Sequence, residues 1–215
     1  MTTVAFDRRH SDFRLPTLLE PTVPDPQHCF DTFFVTTQRV HLFPRVAADL
    51  DDAMTGSKVI VELDPASSPS AGELTALYEW IRSGGRLLVM EPAAGAHLAA
   101  NRFLEPAGMR ISAAFAGRGE VPTLSGLAVY GGRPQPLSRS TDGPLVSVAA
   151  WGAGRVVVVL GSERFSFQAM GPAFNAPTEE QRAVYDKVYE LFERDVLPDG
   201  WTRECPLVRR HTRAS

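Results

Sequence analysis

The stretch VIVELDPASSPSAGELTALYEWIRSGGRLLVMEP, residues 59–92, decides the fold. Its first residues, with Lys58 before them, form a run that is apolar on both faces, as in a strand at the centre of a parallel sheet. Ser70 and Glu73 have the spacing of a capping box, and Leu74, Leu77, Tyr78 and Ile81 then make one apolar helical stripe. Gly84-Gly85 stops that helix, and residues 86–90 read as a second buried strand. Strand, helix and strand in so short a span make a parallel crossover unit, which predicts a three-layer α/β domain.

Downstream, residues 96–104 read as a short helix closed by Pro106 and Gly108. Residues 109–130 read as short β segments among Gly and Pro. The runs 145–151 and 155–160, joined by Gly152-Ala153-Gly154, read as a hairpin. Thr178 and Gln181 cap a last helix through residue 196, with Val184, Val188, Leu191 and Phe192 on its buried side. Upstream, Pro44 suits a first helical position, followed at helical spacing by Val46, Leu50 and Ala53/Met54. CFDTFFVT at 29–36 is apolar and β-prone, so it reads as the first strand. The resulting map is an extended, proline-punctuated arm at 1–28, an α/β domain at 29–196 and a basic tail at 197–215.

The chain has 215 residues, 44% of them hydrophobic, and a formal net charge of −3. That is enough chain for one α/β core. It lacks the basic excess of a nucleic-acid binder, so no nucleic-acid partner is expected. Only Lys58 and Lys187 are lysines, an arginine bias typical of GC-rich bacterial coding. No apolar run approaches the roughly twenty residues that span a bilayer. Residues 1–14 also have no apolar signal core, so a cytoplasmic protein is expected. Two cysteines, Cys29 and Cys205, exclude a disulfide framework or a four-thiolate zinc site but leave room for a reactive thiol.

Residues 59–92 and the later run WGAGRVVVVLGSERFSF (151–167) together resemble the class I glutamine amidotransferase-like superfamily. They are most similar to its non-amidotransferase branches, the trehalose-utilisation, gliding-motility and intraflagellar-transport-type domains. The resemblance covers residues 30–196. It implies a three-layer sandwich with a mainly parallel, flavodoxin-like sheet, here elaborated by a β-hairpin. In true amidotransferases a cysteine nucleophile sits on the tight turn after a strand, and a histidine and an acid after the last strand activate it. Here that turn reads MEPAAG (90–95), without Cys or Ser, and the late strand leads to GSER (161–164), without His. The resemblance therefore implies an amidotransferase-like domain lacking glutaminase activity. Cys29 is no replacement, since its neighbour His28 would point to the opposite face of an extended strand.

Parallel sheets bind ligands beyond the carboxyl ends of their strands. Those ends carry Glu62 and Asp64, then Glu91, then Ser162, Glu163 and Arg164. The expected ligand-binding set is Asp64, Glu91, His97, Ser162, Glu163 and Arg164, with a small polar molecule or a protein as partner. The alternative is a carboxylate-based hydrolase or isomerase in which Glu91 and Glu163 are catalytic, Glu91 as base and Glu163 or His97 as its partner. His10, His28, His41, His97 and His211 have no metal-ligand spacing, so neither metal nor cofactor is expected. The aromatic stretches 30–34 and 165–167 suit a core or a partner surface, and a homo-oligomer is left open.

Overall fold

In a computed structural model, residues 2–15, 25–93, 97–111, 124–126, 135–137 and 145–198 are described. Strands β1 (Thr2–Asp7), β2 (Leu42–Ala47), β3 (Val59–Leu63) and β4 (Arg86–Glu91) come from the first half of the chain. They alternate with helices α1 (Asp31–Arg39), α2 (Leu50–Met54) and α3 (Ala71–Arg82). Then follow α4 (Leu98–Leu104), short strands β5 (Met109–Ile111), β6 (Leu124–Gly126) and β7 (Gln135–Leu137), and the hairpin β8 (Leu145–Trp151) and β9 (Gly154–Leu160). A short α5 (Phe167–Met170) and the longer α6 (Glu179–Glu190) follow, and α6 runs on as a π-helical segment over Leu191–Val196, so the expected helix through residue 196 changes its winding in its last six residues.

The main sheet is seven-stranded in the order β2-β1-β3-β4-β9-β8-β7. Its first five strands are parallel and its last two antiparallel. The parallel part has the doubly wound order of flavodoxin-like folds, whose switch point lies between the first and third strands. Side chains alternate across the sheet and build two cores. Val4, Phe6, Val61, Met90 and Val159 meet α1 and α6 on one side. Ala5, Ile60, Val89 and Val158 meet α3 and α4 on the other.

Several sequence expectations hold in detail. Ser70 and Glu73 form the reciprocal capping box of α3, and Thr178 and Gln181 that of α6. Gly84 takes a left-handed φ of 108° after α3. Gly154 has a second reason to be glycine: a Cβ there would stand 2.1 Å from the carbonyl oxygens of Ile81 and Gly85. The hairpin thus docks directly on the end of α3.

Three expectations in the N-terminal quarter are corrected. Residues 2–7, expected within the 1–28 arm, form β1 between β2 and β3. The apolar core of this strand is only Val4-Ala5-Phe6, too short to register as a strand beside Arg8 and Arg9. Residues 29–36 are not a strand: α1 begins at Asp31, and its buried Thr32, Phe33, Thr36 and Thr37 lie at helical spacing. Here tertiary packing overrides β-propensity. Pro44 lies in β2, not at a helix start. As an edge strand, β2 tolerates proline because one side has no ladder to lose. Phe30, Phe33 and Phe165 are buried, so these aromatics are core. Most of 109–130 and nearly all of the 197–215 tail lie outside the described residues.

Phe6 ties β1 into the aromatic core, with ring centroids 6.1 Å from Phe33 and 4.9 Å from Phe34. Phe6→Ala is expected to lower the urea-unfolding free energy by about 3–5 kcal/mol, the usual cost of such a deletion in a core. In a loose arm the same change would cost under about 0.5 kcal/mol.

Candidate functional site

The ladder of β3, β4 and β9 continues past the strand ends into the loops beyond. The Asp64 N–H donates to the Met90 carbonyl at 2.8 Å, and the Gly161 N–H donates to the Glu91 carbonyl at 2.8 Å. These bonds hold three post-strand turns side by side. On them, two direct side-chain pairs form. The Ser162 hydroxyl donates to Asp64 Oδ1 at 2.5 Å. Glu91 Oε2 lies 2.8 Å from His97 Nδ1, with both side chains buried.

Glu163 joins this set through the backbone, its Oε2 accepting the Ala93 N–H at 3.1 Å. Its charge and that of Glu91 are both felt at Asp64. Arg164 is exposed, its side chain lying over Gly161. Of the expected residues, then, Asp64 pairs with Ser162 and Glu91 with His97. Glu163 stands close enough to influence Asp64 while anchoring the turn after β4. Glu62 does not join the rim; it faces β1 instead.

Burial is the main force on the carboxyls. It pushes Asp64 up to about 7, with the Ser162 hydrogen bond opposing and the charge of Glu91 adding to the rise. His28, which the sequence did not connect with the site, is near enough to offset part of this. Burial likewise raises Glu91 to about 8 and lowers His97, so the imidazole is neutral. His97 Nε2 is buried and has no hydrogen-bond partner.

Backbone strain falls on the same residues. Asp64 and His97 are two of only three non-glycine residues with positive φ among the described residues, at 46° and 51°. Such conformations cost of order 1 kcal/mol or more and concentrate at functional sites. A separate grouping of metal-ligand type, Asp7, His10 and Glu62, lies at the ends of β1 and β3. The sequence reading missed it because Asp7 and His10 fell in the supposed arm. The signal available was a carboxylate and a histidine three residues apart directly after an apolar triplet.

Cys29 is fully buried beside the start of α1, and its thiol lies 3.5 Å from Asp31 Oδ1. Among the described residues no helix is long and apolar enough to cross a membrane.

Solved structures share this fold. The mmIFT52 N-terminal domain aligns with a TM-score of 0.57 at 16% identity, over 92% of this chain and 100% of that one. The exo-beta-1,4-mannosidase Op5Man5 from Opitutaceae bacterium strain TAV5 aligns with a TM-score of 0.55 at 15% identity. That match covers 92% of this chain but only 37% of the mannosidase. At such identities the likeness is one of fold. No protein-family model matches the sequence, and no curated protein matches it.

The raised carboxyls give stability a definite pH dependence. An acid whose folded pKa lies above its unfolded value stabilises the fold fully below the unfolded pKa, and that stability is lost as pH rises through the folded one. For Asp64 and Glu91 the window runs from their ordinary values of 3.8 and 4.5 up to about 7 and 8. Urea-unfolding free energy is expected to fall across pH 5–8, by at most about 1.4 kcal/mol per pH unit for each group. Glu91→Gln removes one titration and should flatten that slope. A variant with the parent's slope would show that Glu91 ionises normally.

Proposed function

We propose that this chain is an amidotransferase-like domain without glutaminase activity, which binds a small hydroxyl-rich ligand at the rim formed by Asp64, Glu91, His97 and Ser162. The observation that carries this reading is the convergence of buried groups that both donate and accept. Burial favours the protonated acids of Glu91 and Asp64 and the neutral imidazole of His97, so these groups and the Ser162 hydroxyl all have mixed hydrogen-bonding character. A ligand hydroxyl has the same mixed character, so it complements these groups better than a purely cationic or anionic group does.

The residues that occupy the two turns support the reading that glutaminase chemistry is absent. The turn after β4 offers Glu91-Pro92-Ala93, and the turn after β9 offers Ser162, Glu163 and Arg164. Neither carries the thiol or the activating histidine that acyl transfer by this route needs. Ammonia release from glutamine is expected to stay at the blank rate. Turnover abolished by Cys29→Ala would overturn the proposal.

A second reading is favoured by one contact. Glu91 and His97 form a dyad with the far ring nitrogen unsatisfied, which is the arrangement a general acid or base requires. On that reading the domain is a hydrolase or isomerase, Glu91–His97 moves the proton, and Glu163 anchors the Ala93 turn instead of acting as the partner acid.

Thermal shift with monosaccharides, inositols and diamines tests the binding reading. A matching polyol at a hundredfold excess over its Kd stabilises by about 2.7 kcal/mol, roughly 5–10 °C for a chain of this size. Asp64→Asn and Glu91→Gln should fold and lose that shift. A polyol that shifts these variants as much as the parent would remove the rim from the binding surface. A diamine whose shift grows as pH rises through 7–8 would replace the hydroxyl-rich ligand by a cationic one.

A further inference from the structure

A second polar cluster lies at the switch point of the sheet. Asp7, His10 and Glu62 are each at most 2% exposed. One ligand atom from each lies within 4.8 Å of those from the other two. The register of β1 on β3 creates the cluster. Val4 pairs with Val59, Ala5 with Ile60 and Phe6 with Val61, so the next positions along are Asp7 and Glu62. Both share the face of Ala5 and Ile60. The turn after β1 brings His10 back, its Nδ1 2.6 Å from Asp7 Oδ2, with the ring edge-on to Phe103 at 5.6 Å.

The outer contacts hold these side chains in place. The Arg9 N–H donates to Asp7 Oδ1 at 3.0 Å, and the Ser11 hydroxyl donates to Glu62 Oε2 at 2.9 Å while accepting the Leu63 N–H. Glu62 Oε1 is buried and has no partner. Buried polar atoms are almost always satisfied, and two carboxylates side by side in such a place are disfavoured unless a counter-charge or a proton joins them. Of the two arginines between Asp7 and His10, Arg8 is exposed, and Arg9, also largely exposed, pairs with Glu73 at 3.1 Å.

We infer that Asp7, His10 and Glu62 bind a divalent first-row transition-metal ion. Two carboxylate oxygens and one imidazole nitrogen suit zinc or manganese rather than calcium or magnesium, which favour oxygen-only sets. Glu62 supplies the unsatisfied oxygen, and Ser11 orients it from behind as an outer partner. The site lies where doubly wound sheets gather their ligands, and it does not depend on the rim reading. The competing state is a proton in place of the ion, since burial and Asp7 push the Glu62 acid well above its usual range.

Because the cluster is closed to solvent, the ion enters during folding. The full chain is unfolded in chelator, refolded with or without Zn²⁺ or Mn²⁺, desalted and assayed by elemental analysis and thermal melting. The expected result is about one ion per chain and a higher Tm in the metal-refolded parent. Ser11→Ala should weaken retention about tenfold, the usual effect of losing an outer partner. Glu62→Gln and His10→Asn should retain no ion while circular dichroism reports a native fold. A parent that refolds without retaining either ion overturns the proposal, whatever the variants do. Metal retained equally by Glu62→Gln and His10→Asn overturns it as well, because the ion would then be held elsewhere.

Discussion

Parallel pairing of β1 on both of its edges is the constraint on which the other features depend. Its six residues pair with β2 from Thr2–Leu42 to Asp7–Ala47, and three of them pair with β3. Val4 and Phe6 enter the core under α1 and α6, while Ala5 enters the core under α3 and α4. Without this strand β2 would have no ladder to join, and the two cores would lose their shared wall. The same pairing fixes where Asp7 must lie, and the ladder beyond it fixes the register of β3 against β4 and of β4 against β9.

That register explains why carboxyls gather where they do. Asp7 is in phase with Ala5, Glu62 with Ile60, and Glu91 with Val89 and Leu87, so all three point toward the α3–α4 layer. That layer supplies what they need. Glu73 in the first turn of α3 lies 3.8 Å from His10 Nε2, and Phe103 of α4 packs on the His10 ring. His97 at the entry to α4 pairs with Glu91. Two histidine–carboxylate pairs thus flank the helices that cover one half of the sheet. Each arises because an acidic residue ends a strand whose earlier residues are fixed by core packing.

The centre of this fold was legible because its signals are local. Ser70 and Glu73 announce a helix start, Gly84 a stop, and the flanking apolar runs two buried strands, all within residues 59–92. The rim residues after these strands followed from the rule for parallel sheets, and the structure brings Asp64 to Ser162 and Glu91 to His97. The N-terminal quarter was illegible because its signals are tertiary. Val4-Ala5-Phe6 is a strand only because β2 and β3 lie on either side of it. Phe33, Thr36 and Thr37 form a helix against local propensity because a core waits on that face. Read as part of an arm, Asp7 and His10 have nothing in the sequence to connect them with Glu62, far along the chain.

Both clusters share an energetic signature that packing does not account for. Asp64 holds a left-handed backbone that glycine would adopt at less cost. Its carboxyl, like those of Glu91 and Glu62, is held in a place that penalises ionisation. An apolar or amide side chain at these positions would satisfy the sheet and remove a cost that grows as pH approaches neutrality. Capping accounts for none of them: α3 and α6 have their own boxes, and His97 makes no side-chain cap on α4. Carboxyls that destabilise the fold, set beside the buried unpartnered atoms Glu62 Oε1 and His97 Nε2, support the two binding proposals. These residues contribute little to the fold, and the fold tolerates a cost in order to hold them there.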